Sequence, residues 1–167
     1  MEERALFRAL VGLENVMQNR DFSIRPYDAD RDLKALSQIW FDASIKAHEF
    51  LGEERIAEQR ELIETLYLPS AETFVAYDET ETLGFISLLG DFIGWLFVKP
   101  EAQGQGVGQG LIAHARALRD GLSVCVYLDN QKAYHFYHSI GFTDGETKER
   151  DDQGLPFSVV TMHLNET

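Results

Sequence analysis

Four glycines alternate with other residues in the run Gln103-Gly104-Gln105-Gly106-Val107-Gly108-Gln109-Gly110. The run follows an aromatic and branched stretch, 91–98, that Pro100 closes. It precedes apolar residues at helical spacing, Leu111, Ile112, Ala115 and Leu118. Glycine inside a helix costs about 1 kcal/mol relative to alanine. Several at a strand–helix junction make sense where backbone must approach a ligand closely or adopt positive φ. The first turn of a helix also carries unpartnered N–H groups and the positive end of the dipole. The chemistry this predicts is capture of an anion, in particular a phosphate.

Two common phosphate motifs do not fit. A Walker loop needs a lysine followed by Ser or Thr after its second glycine, and neither is present. The dinucleotide fingerprint G-x-G-x-x-G fails as well, because its sixth position is Gln109 counting from Gly104 and Leu111 counting from Gly106.

The run does match Q/R-x-x-G-x-G/A through Gln103, Gly106 and Gly108. A second element, Asn130-Gln131-Lys132-Ala133-Tyr134-His135-Phe136-Tyr137-His138-Ser139-Ile140-Gly141-Phe142, fits N-x-x-A-x-x-F-Y-x-x-x-G-F. In this order and separation the two elements resemble the GNAT superfamily of acetyl-CoA-dependent N-acetyltransferases, over residues 22–164. Ile39-Trp40, Ala47-His48-Glu49-Phe50-Leu51 and the segment 151–156 resemble the bacterial YjaB-like branch.

The resemblance implies a mixed α/β (α+β) fold, a mostly antiparallel central sheet of about seven strands flanked by helices. It implies acetyl-CoA as acyl donor, with no metal. Phe97 and Val98 would pair with the pantetheine arm, and Gln103, Gly104, Gln105, Gly106, Val107 and Gly108 would face the pyrophosphate. Asn130 would contact the cofactor near its pantetheine amide. Tyr137 takes the position of the general acid that protonates the leaving thiolate. The implied reaction is direct attack of a primary amine within a ternary complex. The acceptor is a small-molecule amine or a protein or peptide amine. A catalytically idle acyl-CoA sensor is the alternative, motivated by Phe92 standing where histone-type relatives carry a glutamate. The proton acceptor stays open between a water chain, Glu49 and His48, the last reading as an exposed loop histidine.

These residues need elements to hold them. Leu6, Leu10, Leu13 and Met17 share one face of an expected N-terminal helix over 5–17, so residues 1–21 read as a helical extension and 22–167 as the acetyltransferase domain. Phe22–Arg25 alternates as a strand ending at Pro26. Asp30 is the expected N-cap of a helix carrying Leu33, Leu36, Ile39 and Trp40, and a further helical period over 53–68 should stop at Pro69. Strands are expected at 73–77, 83–89, 91–98 and 122–127, helices at 106–118 and 131–139, and two last strands at about 142–150 and 156–164.

The net charge is −13, which leaves no basic footprint for nucleic acid and favours cationic acceptors at long range. One cysteine, Cys125, allows no internal disulfide. The acidic start Met1-Glu2-Glu3-Arg4 lacks a signal-type apolar core, and no apolar run approaches the roughly 20 residues of a membrane span. A cytoplasmic enzyme without membrane contact is therefore expected, with a homodimer through the N-terminal helix left open.

Overall fold

The computed structural model describes residues 20–165, so the helix expected over 5–17 lies outside the described residues. Seven strands form one sheet in the order β1-β2-β3-β4-β5-β7-β6. They are β1 (Ser23–Pro26), β2 (Glu72–Tyr77), β3 (Thr82–Leu89), β4 (Phe92–Val98), β5 (Leu122–Tyr127), β6 (Thr143–Lys148) and β7 (Val159–Leu164). β4 and β5 run parallel, as expected for a strand–helix–strand unit, and every other pairing is antiparallel. Helices α1 (Ala29–Ala47), α2 (Glu53–Leu62), α3 (Val107–Leu118) and α4 (Gln131–Ser139) flank it.

Alternation along the strands gives the sheet two apolar faces. Phe85, Trp95 and Phe97 pack with Leu36, Trp40 and Ile56 of α1 and α2. Ile86, Ile93 and Val124 pack with Leu111 and Ala115 of α3 on the opposite face. The edge strand β6 is exposed throughout and carries Asp144, Glu146 and Lys148, charges that oppose pairing with another sheet.

The N-cap of α1 is Asp28 rather than Asp30. Asp28 has extended φ and ψ of −124° and 114°, and its carboxylate accepts from the Asp30 N–H at 3.1 Å. Asp32, 1% exposed, then receives two hydrogen bonds from the Arg25 guanidinium, at 2.6 and 2.7 Å, and one from the Asp28 N–H at 2.9 Å. Burial pushes the Asp32 carboxyl up, but the Arg25 and Asp28 hydrogen bonds outweigh it and hold the group below its ordinary value. A depressed carboxylate contributes stability above the unfolded pKa of about 3.9 and loses it as pH falls through the folded value. Asp32→Asn leaves the Arg25 charge without its partner. The expected loss is about 3 kcal/mol, a fall in thermal midpoint of roughly 6–12 °C at pH 7 that shrinks below about pH 4. Differential scanning calorimetry of both proteins across that range checks it.

Pro69 does not stop the second helical region where expected. The chain widens into a π turn over Ile63–Tyr67, with the Leu68 N–H bonded to Ile63 O, and helix continues over Leu68–Ser70. Proline cannot supply the next intrahelical hydrogen bond. Ala71 N–H closes the end on Tyr67 O at 3.1 Å.

Candidate active site

The site begins where β4 and β5 part. Their register holds only for Phe92 with Ser123 and Ile93 with Val124, leaving the C-terminal half of β4 without a partner on that side. Lys99 N–H donates to Leu83 O at 2.8 Å, which fixes the alternation of bonded and non-bonded pairs along β3 and β4. Phe85 with Phe97 is a bonded pair, whereas Gly84 with Val98 and Ile86 with Leu96 are not. The N–H and C=O groups of Leu96 and Val98 therefore turn away from β3, into the gap. The gap opens into a cavity of about 870 Å³.

One wall is the glycine run. A short 3-10 turn, Pro100–Ala102, bends the chain, and α3 then starts at Val107. Gly104 and Gly106 have φ of 76° and 86°, conformations that side-chain-bearing residues adopt only with strain. The other two glycines answer to packing. A Cβ on Gly108 would sit 3.2 Å from the Phe136 ring, and one on Gly110 would sit 2.5 Å from the Phe22 ring. The first helical hydrogen bond runs from Gly110 N–H to Gly106 O at 3.0 Å. The N–H groups of Val107, Gly108 and Gln109 have no intrahelical acceptor, and among the described residues no side chain caps this helix. The side chain of Val107 itself is buried in the core.

Two lysines supply positive charge that the overall balance of −13 conceals. Lys46 and Lys132 both line the cavity. Lys132 Nζ donates to Gln103 Oε1 at 2.7 Å, and Gln103 Nε2 donates to Val98 O at 3.0 Å. Gln103 thus ties the loop both to the open edge of β4 and to α4. Sequence reasoning missed Lys132. No local signal marked it, because the contact with Gln103 is made across the fold.

The opposite wall comes from α4. Asn130 caps it, accepting from Ala133 N–H at 3.2 Å. Tyr137 lines the cavity, is 6% exposed, and packs edge-on against Phe136 and Phe142. Among the described residues its hydroxyl has no hydrogen-bond partner, and burial pushes its pKa above the ordinary tyrosine value. Glu49 and Phe50, from the 3-10 turn Glu49–Leu51 after α1, close the third side, together with Asp129.

The sequence-predicted residues Phe97, Val98, Gln103, Gly104, Gly106, Gly108, Asn130, Tyr137 and Glu49 all border this one cavity, whereas the borders omit Gln105, Val107 and His48. His48 is also not the exposed loop residue expected. It is half-buried against Phe50, Phe97 and Tyr127, and desolvation lowers its pKa to about 4. Phe92 lies at the far end of β4, opposite Leu89 and Ser123, and does not border the cavity.

A splayed parallel strand pair, an uncapped glycine-rich helix start and a tyrosine across the gap are thus brought together by one sheet. A family described as acetyltransferase (GNAT) domain matches residues 69–144. The peptidyl-lysine N-acetyltransferase YjaB of Salmonella typhimurium is 36% identical over 128 residues, spanning 76% of this chain and 88% of that protein. The chain belongs to the GNAT acetyltransferase family. It is an acyltransferase. The solution structure of apo-form YjaB from Escherichia coli superposes with a TM-score of 0.79 at 30% identity, covering 89% of this chain and all of that one. The PaiA N-acetyltransferase of Thermoplasma acidophilum, solved in complex with coenzyme A, shares the fold at a TM-score of 0.70 and 16% identity, over 87% of this chain and 99% of that one. Within this GNAT fold the cavity lies at the β4–β5 split. Among the described residues no helix is long and apolar enough to cross a membrane.

Proposed function

We propose that this protein moves the acetyl group of acetyl-CoA onto the side-chain amine of a protein lysine, within a ternary complex. The observation that carries the reading is one cavity joining the uncapped start of α3, the open edge of β4 and Tyr137. The lysine acceptor is supported by the YjaB relatives, which are peptidyl-lysine N-acetyltransferases, and by the net charge of −13, which attracts cationic segments.

Acetyl-CoA supplies an activated thioester carbonyl, whose attack by a neutral amine forms the C–N bond as the C–S bond breaks. The chain's own residues do the rest. The free N–H groups of Val107, Gly108 and Gln109 and the Lys132 ammonium hold the pyrophosphate, where they offset an otherwise acidic protein. The Leu96 N–H and C=O offer strand-type hydrogen bonds to the extended pantetheine amides, as an added strand would use them. The Val98 N–H also faces the gap, where it polarises the carbonyl oxygen that becomes anionic. Tyr137 gives its proton to the departing thiolate. The amine proton leaves through water at the rim, where Glu49 and Asp129 are exposed carboxylates. His48 is not that base, because its ring faces Asn130 rather than the cavity. Phe92 does not border the cavity, so no step is assigned to its position.

Thermal unfolding with and without acetyl-CoA tests the reading. A ligand at 100 times its dissociation constant that binds only the folded state adds about 2.7 kcal/mol, or roughly 5–10 °C for a domain of this size. A saturable rise of that order, with acetyl transfer to a lysine peptide, is expected. No shift at millimolar acetyl-CoA overturns the reading.

A further inference from the structure

His48 touches more of the site's scaffold than any role in proton transfer needs. Its ring lies 5.7 Å from Phe50, 6.4 Å from Phe97 and 5.4 Å from Tyr127, centroid to centroid, each contact edge-on. Phe97 is the last residue but one of β4 and Tyr127 the last of β5, so the ring stands across the mouth of the split on the α1 side. A fourth contact reaches α4, where Asn130 Nδ2 lies 3.2 Å from His48 Nε2.

The direction of this hydrogen bond follows from its partners. Asn130 Oδ1 is committed to the Ala133 N–H at the start of α4. The amide nitrogen must then face the ring, and an NH2 group only donates. His48 Nε2 is therefore the acceptor, which places the ring proton on Nδ1. The lone pair that would make His48 a base is already in use.

We infer that His48 is a positioning residue: its neutral ring accepts the Asn130 amide proton and so fixes, from the acceptor side, the start of the helix that carries Tyr137. The inference rests on the proposed acetyl transfer. Loss of the acceptor atom frees the Asn130 side chain and lets the β4–β5 mouth relax, which weakens acetyl-CoA binding more than it slows the chemistry. The titratable neighbours of the ring are Tyr127, whose hydroxyl donates to Asp151 at 3.0 Å, and the adjacent Glu49; Phe50, Phe97 and Asn130 bring no charge.

Glutamine separates positioning from proton transfer, since its Oε1 can stand where Nε2 stands but does not titrate. Steady-state kinetics of the full chain with acetyl-CoA and a lysine peptide, over pH 6–9, compare His48→Gln, His48→Leu, Asn130→Ala and the Leu/Ala double variant. The expected result is a His48→Gln enzyme within about threefold of wild type with an unchanged pH profile, and a His48→Leu enzyme whose KM for acetyl-CoA rises roughly tenfold. His48→Leu added to Asn130→Ala should cost little more, because the contact it removes is already gone, whereas Asn130→Ala by itself also loses the α4 cap. Should His48→Leu fail to fold, His48→Asn carries the same test, being polar but too short to reach. A His48→Gln enzyme as impaired as the Leu or Asn variant, with its acid limb displaced, overturns the inference in favour of proton transfer. Additive losses in the double variant overturn it too. An inactive wild type that also fails to bind acetyl-CoA sinks the acetyl-transfer reading instead.

Discussion

Replacing Gly106 with glutamate is expected to lower acetyl-CoA affinity at least about 100-fold while the protein stays folded. Gly106 has φ of 86° and ψ near 0°, immediately before the first residue of α3. A side-chain-bearing residue in this left-handed region costs roughly 1–2 kcal/mol. Glutamate adds a second effect. Its carboxylate lies beside the free N–H groups of Val107, Gly108 and Gln109 and occupies them as an internal anion, and it repels the pyrophosphate those groups would hold. Gly106→Ala isolates the strain, and a loss of roughly tenfold is expected for it, equivalent to about 1.4 kcal/mol. Isothermal titration of acetyl-CoA into the wild type and both variants, with each apo protein's melting curve as the folding control, measures the difference. A glutamate variant that binds within a few-fold of wild type would show that the anion lies somewhere other than the start of α3.

The glycine run also marks where sequence reasoning stops. Alternating glycines between a strand and a helix pointed to a junction, and the junction lies there, with α3 starting at Val107 against an expected 106. Why each position is glycine was not legible. Gly104 and Gly106 answer to positive φ, but Gly108 and Gly110 answer to the rings of Phe136 and Phe22, contacts made across the fold. Local pattern carries information about backbone periodicity, not about which distant ring arrives. The strand and helix bounds of β5 and α4 matched to the residue, because each is a short apolar or amphipathic run between clear turn signals. Errors came where capping or chain geometry is decided by one hydrogen bond. Asp28 took the cap from Asp30 because Pro26 ends the strand early enough for Asp28 to be extended. The π turn before Pro69 carried helix past a residue that ordinarily ends it.

The walls of the cavity show the same division. The resemblance of 130–142 to the family's element led to Asn130 and Tyr137, which stand at the cap and within the last turn of α4. His48 could not be placed from its neighbours in sequence. Nothing local says that a histidine ending α1 will meet the cap of α4 and the ends of β4 and β5, so its burial emerged only from the fold. Lys132 was passed over because a helix surface lysine is ordinarily a solvated charge, and only the approach of Gln103 gives it a place in the site.

Tyr137→Phe is expected to cut kcat about 100-fold while leaving acetyl-CoA affinity within roughly twofold of wild type. A positioned general acid contributes on the order of 100–10,000-fold. The substitution removes one oxygen and keeps the ring, so the edge-on contacts with Phe136 and Phe142 survive and the fold should not change. Because the hydroxyl has no partner among the described residues, its removal strands no buried donor or acceptor. The pH dependence supplies a second check. Burial keeps Tyr137 protonated beyond the ordinary tyrosine pKa of about 10, so the wild-type rate should hold past pH 10 rather than fall as the phenol ionises. The same burial withdraws water from the departing thiolate and raises its proton affinity too, so the proton transfer remains matched although the phenol alone has become a weaker acid. Donors with a thioester of better leaving ability distinguish this role from packing: a thiol of low pKa needs no protonation, and with such a donor Tyr137→Phe should recover most of its activity. An equal loss with both donors would mean that Tyr137 shapes the cavity and that the proton reaches the thiolate by another route.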